Sequence, residues 1–261
     1  MIKKGTNILQ EHSKKMLEFD GRLKQVNFLD RRVYKRGEDL FYPSVTSILQ
    51  YMPKNKFFEQ WLMDVGHNAE IIKRRAGKEG TQVHEAAEQL LKGEEISWMD
   101  DYGNAKYDEK VWSMIVKFHE FWNTYKPELI YSEEFVYSDE HQYAGTADLV
   151  CKLDGEVWLL DIKTSNNVYK SQELQLASYA IAMEECKGIK IDRTGIIWLK
   201  SSKRKESNKE GVYQGKGWEL KVVDNIEENF ELFKLLYKLY KLDYPEIKPI
   251  YKEYPTILKL D

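Results

Sequence analysis

The sequence predicts an α/β fold: a partly parallel sheet carrying helices, preceded by a helical N-terminal elaboration. Three observations point there. Strand-like runs dominate from Leu129 to Lys163. A helical stretch, Ser171 to Cys186, then separates them from an apolar strand, Thr194 to Lys200. Strand, helix, strand in that order implies a right-handed crossover onto a sheet that is parallel at that point. Upstream, apolar residues recur mainly at helical spacing.

In chain order, Gln25 to Tyr42 reads as a hairpin turning near Gly37. In "YPSVTSILQYM", Ser44 follows a proline and is placed to cap a short helix. Lys56 to Val65 has an amphipathic pattern. Asn68 to Ala76 and Thr81 to Leu91 continue as helices, with a predicted interruption near Gly77 and Gly80. Lys106 to Tyr125 sets Val111, Ile115, Phe118 and Trp122 on one face. Asp224 to Leu242 is a last amphipathic helix before a Tyr- and Pro-rich tail. The expected organisation is one domain over 1–261. It comprises a mainly helical region over 1–128, a core over 129–200, and a basic loop, helix and tail over 201–261.

Composition narrows the class. The 261 residues are 42% hydrophobic and 32% charged, with a net charge of −3. No segment approaches the roughly 20 apolar residues that cross a bilayer. The start, Met1-Ile2-Lys3-Lys4-Gly5-Thr6, lacks the apolar run of a signal peptide. Two cysteines, Cys151 and Cys186, cannot build a disulfide framework or a four-cysteine metal site. A cytoplasmic protein with no membrane partner is expected, in a bacterium or a phage-infected cell.

The chemistry concentrates in "AGTADLVCKLDGEVWLLDIKTS", Ala144 to Ser165. Asp154-Gly155 is a strong two-residue hairpin signal. It pairs Leu153 with Glu156, and the same register sets Asp148 opposite Asp161 if no bulge intervenes. Their Cβ atoms would lie about 4.5–5.5 Å apart. The second strand is apolar on both faces until Asp161, as befits a central strand covered on both sides. The charges therefore emerge at its carboxyl end, where open α/β sheets place their sites. Opposed aspartates repel unless a cation lies between them, and oxygen ligands suit Mg²⁺ or Mn²⁺. Lys163, two residues on, faces the same side. The expectation from repulsion alone is that Asp161→Asn raises metal-free stability.

These residues resemble the PD-(D/E)xK nuclease superfamily, in its RecB-like exonuclease branch. The likeness lies in "AGTADLV" with Asp148, "LLDIKTS" with Asp161 and Lys163, and "QLASY" with Gln175 and Tyr179. Upstream, "YPSVTSIL" and "GTQVHEAAE" with His84 are similar to the N-terminal signatures of mitochondrial genome maintenance exonucleases and related phage enzymes. The ordered series spans roughly Tyr42 to Lys200. It implies a restriction-endonuclease-like core, a mixed central sheet flanked by helices. It also implies that Asp148, Asp161 and the Ile162 carbonyl ligate Mg²⁺, with His84 close to the metal. Lys163 would be the catalytic lysine, with Gln175 and Tyr179 one helical turn apart positioning the site or the DNA. A family glutamate precedes Asp148; Glu133 and Glu134 both align, and Glu133 is favoured. Relatives with an iron–sulfur cluster use four cysteines, so no cluster is expected here.

Two basic groups stand out, Lys73-Arg74-Arg75 with Lys78, and Lys200 with Lys203-Arg204-Lys205 and Lys209. Either reads by itself as a solvated helix face or a loop. For DNA contact the candidates are Arg74, Arg75, Tyr179, Lys203, Arg204 and Lys205. The expected function is a metal-dependent DNA exonuclease acting on single strands or free ends in repair, recombination or phage DNA processing. A structure-selective endonuclease and a non-catalytic DNA-binding subunit are the competing readings. No G-x-x-x-x-G-K-[ST] loop is present to support a nucleotide-dependent enzyme.

Overall fold

The computed structural model describes residues 23–28, 31–54, 56–247 and 259. Most of the Tyr- and Pro-rich tail and the first 22 residues lie outside them. The chain is α/β, with a six-stranded mixed sheet flanked by helices. Its strands are β4 (Glu128–Ser138), β5 (Tyr143–Leu153), β6 (Glu156–Lys163), β7 (Arg193–Trp198), β8 (Gln214–Gly215) and β9 (Trp218–Val223). They lie in the order β4-β5-β6-β7-β9-β8, and only β6 and β7 run parallel.

The Asp154-Gly155 turn joins β5 to β6 with both residues at positive φ, 52° and 84°, as a tight hairpin turn requires. The expected register holds from Leu153↔Glu156 to Leu149↔Leu160. There the ladder stops, one position short of Asp148 and Asp161.

Helices cover both faces. They are α1 (Val45–Leu49), α2 (Lys56–Val65), α3 (Ala69–Leu91), α4 (Glu109–Tyr125), α5 (Lys170–Lys187) and α6 (Ile226–Asp243). On one face Val150, Leu159 and Ile196 pack with Ala177 and Met183 of α5, Phe233 of α6 and Ile48 of α1. On the other, Leu160, Trp158 and Ile197 pack with Val83 of α3 and Phe118 and Phe121 of α4. Each such side chain, fully buried, contributes roughly 1.5–3 kcal/mol, so β6 is clamped from both sides. Among the described residues no helix is long and apolar enough to cross a membrane.

Several expectations need correction. The helix break at Gly77 and Gly80 does not occur: α3 runs unbroken for 23 residues. A helical glycine costs about 1 kcal/mol relative to alanine, which tertiary packing overrides. Gly80 has a packing reason, since a Cβ there would meet Thr164 Oγ1 at 3.2 Å. The Gln25–Tyr42 hairpin is a three-stranded antiparallel sheet of β1 (Lys24–Phe28), β2 (Arg31–Lys35) and β3 (Phe41–Pro43). Gly37 belongs to the β2–β3 connection. Beyond residue 201, β8 and β9 extend the sheet where only a loop was expected. Ser44 does cap α1, accepting the Ser47 N–H at 3.0 Å.

Candidate metal and hydrolytic site

β6 delivers Asp161 and Lys163 to the end of the sheet, alongside Ile196 and Trp198 of the parallel strand β7. Asp161 is only 2% exposed. Lys163 Nζ lies 2.7 Å from both of its carboxylate oxygens and hydrogen-bonds Oδ1. Oδ2 is buried without a hydrogen bond. Burial pushes the Asp161 carboxyl up to about 7; Lys163 opposes that shift and Asp148 adds to it. For Lys163 burial disfavours the charge, yet Asp161 and Asp148 hold its ammonium above the ordinary lysine range.

Asp148 does not face Asp161 across a regular ladder. In an even strand, residues two apart share a face. Leu149 packs in the α3–α4 layer, and Ala147 packs in the α5 layer. The alternation therefore slips at Asp148. The matching slip in β4 is at Glu133, whose φ of 49° is left-handed although it is not glycine. Such a backbone costs of order 1–3 kcal/mol and concentrates at functional sites. Its consequence is positional. Asp148 Oδ2 accepts the Ile162 N–H at 2.9 Å, while Glu133 turns toward His84. Glu134 goes elsewhere, pairing with Lys187 of α5.

His84 comes from α3. Its Nε2 lies 2.9 Å from the Ile162 carbonyl, and its Nδ1 lies 3.4 Å from Glu133 Oε1 and 3.6 Å from Asp148 Oδ2. One ligand atom from each of His84, Glu133 and Asp148 fits within a 4.8 Å span. Burial works against a charged imidazole, but Asp148 and Glu133 outweigh it and raise His84 to about 9. With Nε2–H donating to Ile162, the Nδ1 edge faces two carboxylates, an arrangement suited to a proton or a cation. Ile162, expected as a carbonyl ligand, has that oxygen engaged by His84.

Gln175 and Tyr179 stand one turn apart on α5, with Gln175 Nε2 donating to the Tyr179 hydroxyl at 3.4 Å. Tyr179, expected to position the site or the DNA, is buried, at 4% exposed. Its ring packs against β5 at Gly145, where a Cβ would come 2.3 Å from Tyr179 Cε1. Burial, with Tyr34, Asp148 and Asp161 nearby, raises its phenol far above the usual range. Two residues escaped sequence reasoning. Tyr34 of β2 meets Thr146 Oγ1 at 3.2 Å, two residues before Asp148. Gly145 sits inside the motif that carries Asp148. The tyrosine gave no signal, whereas a glycine inside a strand already suggests close backbone approach.

The basic candidates make their hydrogen bonds and ion pairs with other residues. Arg74 pairs with Glu70 at 3.2 Å, and Arg75 with Glu79 at 3.1 Å. Arg75 also lines a cleft of about 530 Å³ with Lys78, Gln82, Trp98 and Tyr107. Lys203, Arg204 and Lys205 sit by the β8–β9 edge, where the Lys203 carbonyl accepts from Gly217 and the Lys205 carbonyl from Gln214. Strands β7 and β9 separate that edge from Asp161.

The donor set is oxygen-rich with one imidazole, which fits a hard divalent cation. Compared with known proteins, the chain matches no family model and no curated protein.

Proposed function

We propose that this chain is a metal-dependent deoxyribonuclease of the PD-(D/E)xK type, hydrolysing phosphodiester bonds as an exonuclease on single-stranded DNA or free ends. The observation that carries this reading is the cluster itself: a buried Asp161 carboxylate paired with Lys163, beside ligand atoms of His84, Glu133 and Asp148 that lie within 4.8 Å of one another. The fold is read accordingly as a restriction-endonuclease-like core, which the mixed sheet is compatible with.

Asp148, Glu133 and His84 would hold Mg²⁺ or Mn²⁺, with Asp161 presenting Oδ2. When bound, the cation would polarise the scissile phosphate and make water a stronger acid. Lys163, fixed by Asp161, stands where its ammonium offsets charge growing on the phosphate oxygens. Ile162 serves from its backbone: its N–H holds Asp148 and its carbonyl holds the His84 ring. Gln175 and Tyr179 brace β5 behind Asp148.

The test is incubation with end-labelled single- and double-stranded linear DNA and with closed circles, with Mg²⁺ or EDTA. The expected result is Mg²⁺-dependent loss of the linear substrates with circles spared. Cutting of circles would make the enzyme an endonuclease, and inertness toward all of them would refute the nuclease reading.

A further inference from the structure

Beside the acidic site lies a second cluster of the opposite sign. Glu79, on the turn of α3 before His84, is 5% exposed. Both of its oxygens are occupied: Lys110 Nζ is 2.5 Å from Oε2, and Arg75 Nε is 3.1 Å from Oε1. Lys200 lies near Glu79, and Lys117 lies near Lys200. Lys200 follows β7 and donates to the neutral Asn166 Oδ1 at 3.4 Å. Lys117 of α4 donates to the Leu199 carbonyl at 3.1 Å. Neither has a carboxylate within ion-pair distance among the described residues. Burial, then repulsion from Lys110 and Lys117, lowers the Lys200 pKa against the pull of Glu79. Burial also lowers that of Lys117. Lys110 and Lys200 thus share one carboxylate that is already saturated, and Lys117 adds its charge beside Lys200, with Glu120 the carboxylate that draws on it.

Their position gives this excess a use. The Leu199 N–H donates to the Lys163 carbonyl at 3.0 Å. Gly80, next to Glu79, abuts Thr164, the residue after Lys163. The lysines therefore border the segment Lys163–Asn166 that leaves the proposed hydrolytic site. Lysines act on phosphate as point charges on adaptable stems, and a phosphodiester would supply the negative charge the cluster lacks.

We propose that Lys110, Lys117 and Lys200 form a phosphate-binding subsite that tracks single-stranded DNA away from Asp161 and Lys163. This rests on the nuclease reading and adds the path of the substrate. It also reaches the start of the Lys203-Arg204-Lys205 loop, because Lys117 abuts Gly217, whose N–H donates to the Lys203 carbonyl at 2.8 Å.

Binding of a fluorescein-labelled oligo-dT 20-mer in EDTA, followed by anisotropy across a salt series, tests it. For Lys117→Met/Lys200→Ala the dissociation constant should rise about tenfold near 0.1 M salt. The log–log salt slope should shrink by about 1.4, the value for two lost contacts to a single strand. Lys117→Arg/Lys200→Arg should bind within about threefold of the parent. If Lys117→Met impairs folding, Lys200→Ala alone should still lower the slope by about 0.7. Unchanged affinity and slope in a folded variant overturn the subsite while leaving the nuclease reading intact. Failure of the unmodified chain to bind the oligonucleotide overturns both.

Discussion

The Lys163 ammonium lies 2.7 Å from both oxygens of Asp161, so the aspartate expected to oppose Asp148 is instead paired along its own strand. This reverses the stability expected of Asp161→Asn. Removing one partner of a buried pair strands the other, typically at about 3–5 kcal/mol, and Lys163 keeps only 20% side-chain exposure. In EDTA, Asp161→Asn and Lys163→Met should each destabilise, and the double variant should lose clearly less than their sum. Urea unfolding measures the cycle. A more stable Asp161→Asn would mean that carboxylate repulsion outweighs the pair.

Cation binding should draw on His84 and Glu133 but not Glu134. Mg²⁺ well above its dissociation constant should raise the melting temperature, with a stabilisation of about 2.7 kcal/mol at a hundredfold excess. His84→Ala and Glu133→Gln should reduce that rise, and Glu134→Gln, whose carboxylate pairs with Lys187, should not. Because His84 is raised to about 9, its imidazole carries a proton at pH 7 and must release it to ligate. Calorimetry in two buffers of different ionisation enthalpy should therefore detect proton release. Equal apparent enthalpies in both buffers would remove His84 from the ligand set.

Glu79 should govern part of the acid limit of stability. Burial raises its carboxyl, but Lys110, Lys200 and Arg75 prevail and hold it below its ordinary 4.5. A depressed carboxyl contributes stability above its unfolded pKa and loses it as pH falls through the folded one. Glu79→Gln should be less stable than the parent at pH 6, with the difference shrinking on acidification below about 4.5. Denaturation midpoints at pH 6 and pH 3 check this, and a gap that does not narrow would contradict it.

Gly145→Ala should destabilise by roughly 1–3 kcal/mol through overpacking, since its Cβ would press 2.3 Å from the Tyr179 ring. Tyr179→Leu in the same chain should recover part of the loss. A neutral Gly145→Ala would show that the ring moves aside freely.

The readable parts of this molecule are those set by local pattern. Asp154-Gly155 specified the β5–β6 turn and its register because a tight turn dictates both. Ser44 and the apolar spacing of Lys56–Val65 specified α1 and α2. What escaped the pattern is tertiary. The slip at Asp148 and Glu133 has no signature in a string of strand formers, although Glu133 and Glu134 do turn to opposite sides, toward His84 of α3 and Lys187 of α5. Gly77 and Gly80 suggested a break because intrinsic propensity cannot include the contact of Gly80 with Thr164. Tyr179 was legible as a neighbour of Gln175, but its burial depends on Gly145, 34 residues away in the chain. The lysines around Glu79 come from α4 and the end of β7 and meet only in the folded chain.

The most direct measurement is hydrolysis of 5′-labelled single-stranded linear DNA by the parent chain and by Lys163→Ala. Each is assayed in Mg²⁺ and in EDTA, with folding verified by circular dichroism. The site described above requires cleavage by the parent in Mg²⁺, none in EDTA, and a loss of at least about a hundredfold for Lys163→Ala. Equal cleavage by the folded Lys163→Ala protein, or by the parent in EDTA, would contradict the assignment of phosphodiester hydrolysis to Asp148, Asp161 and Lys163.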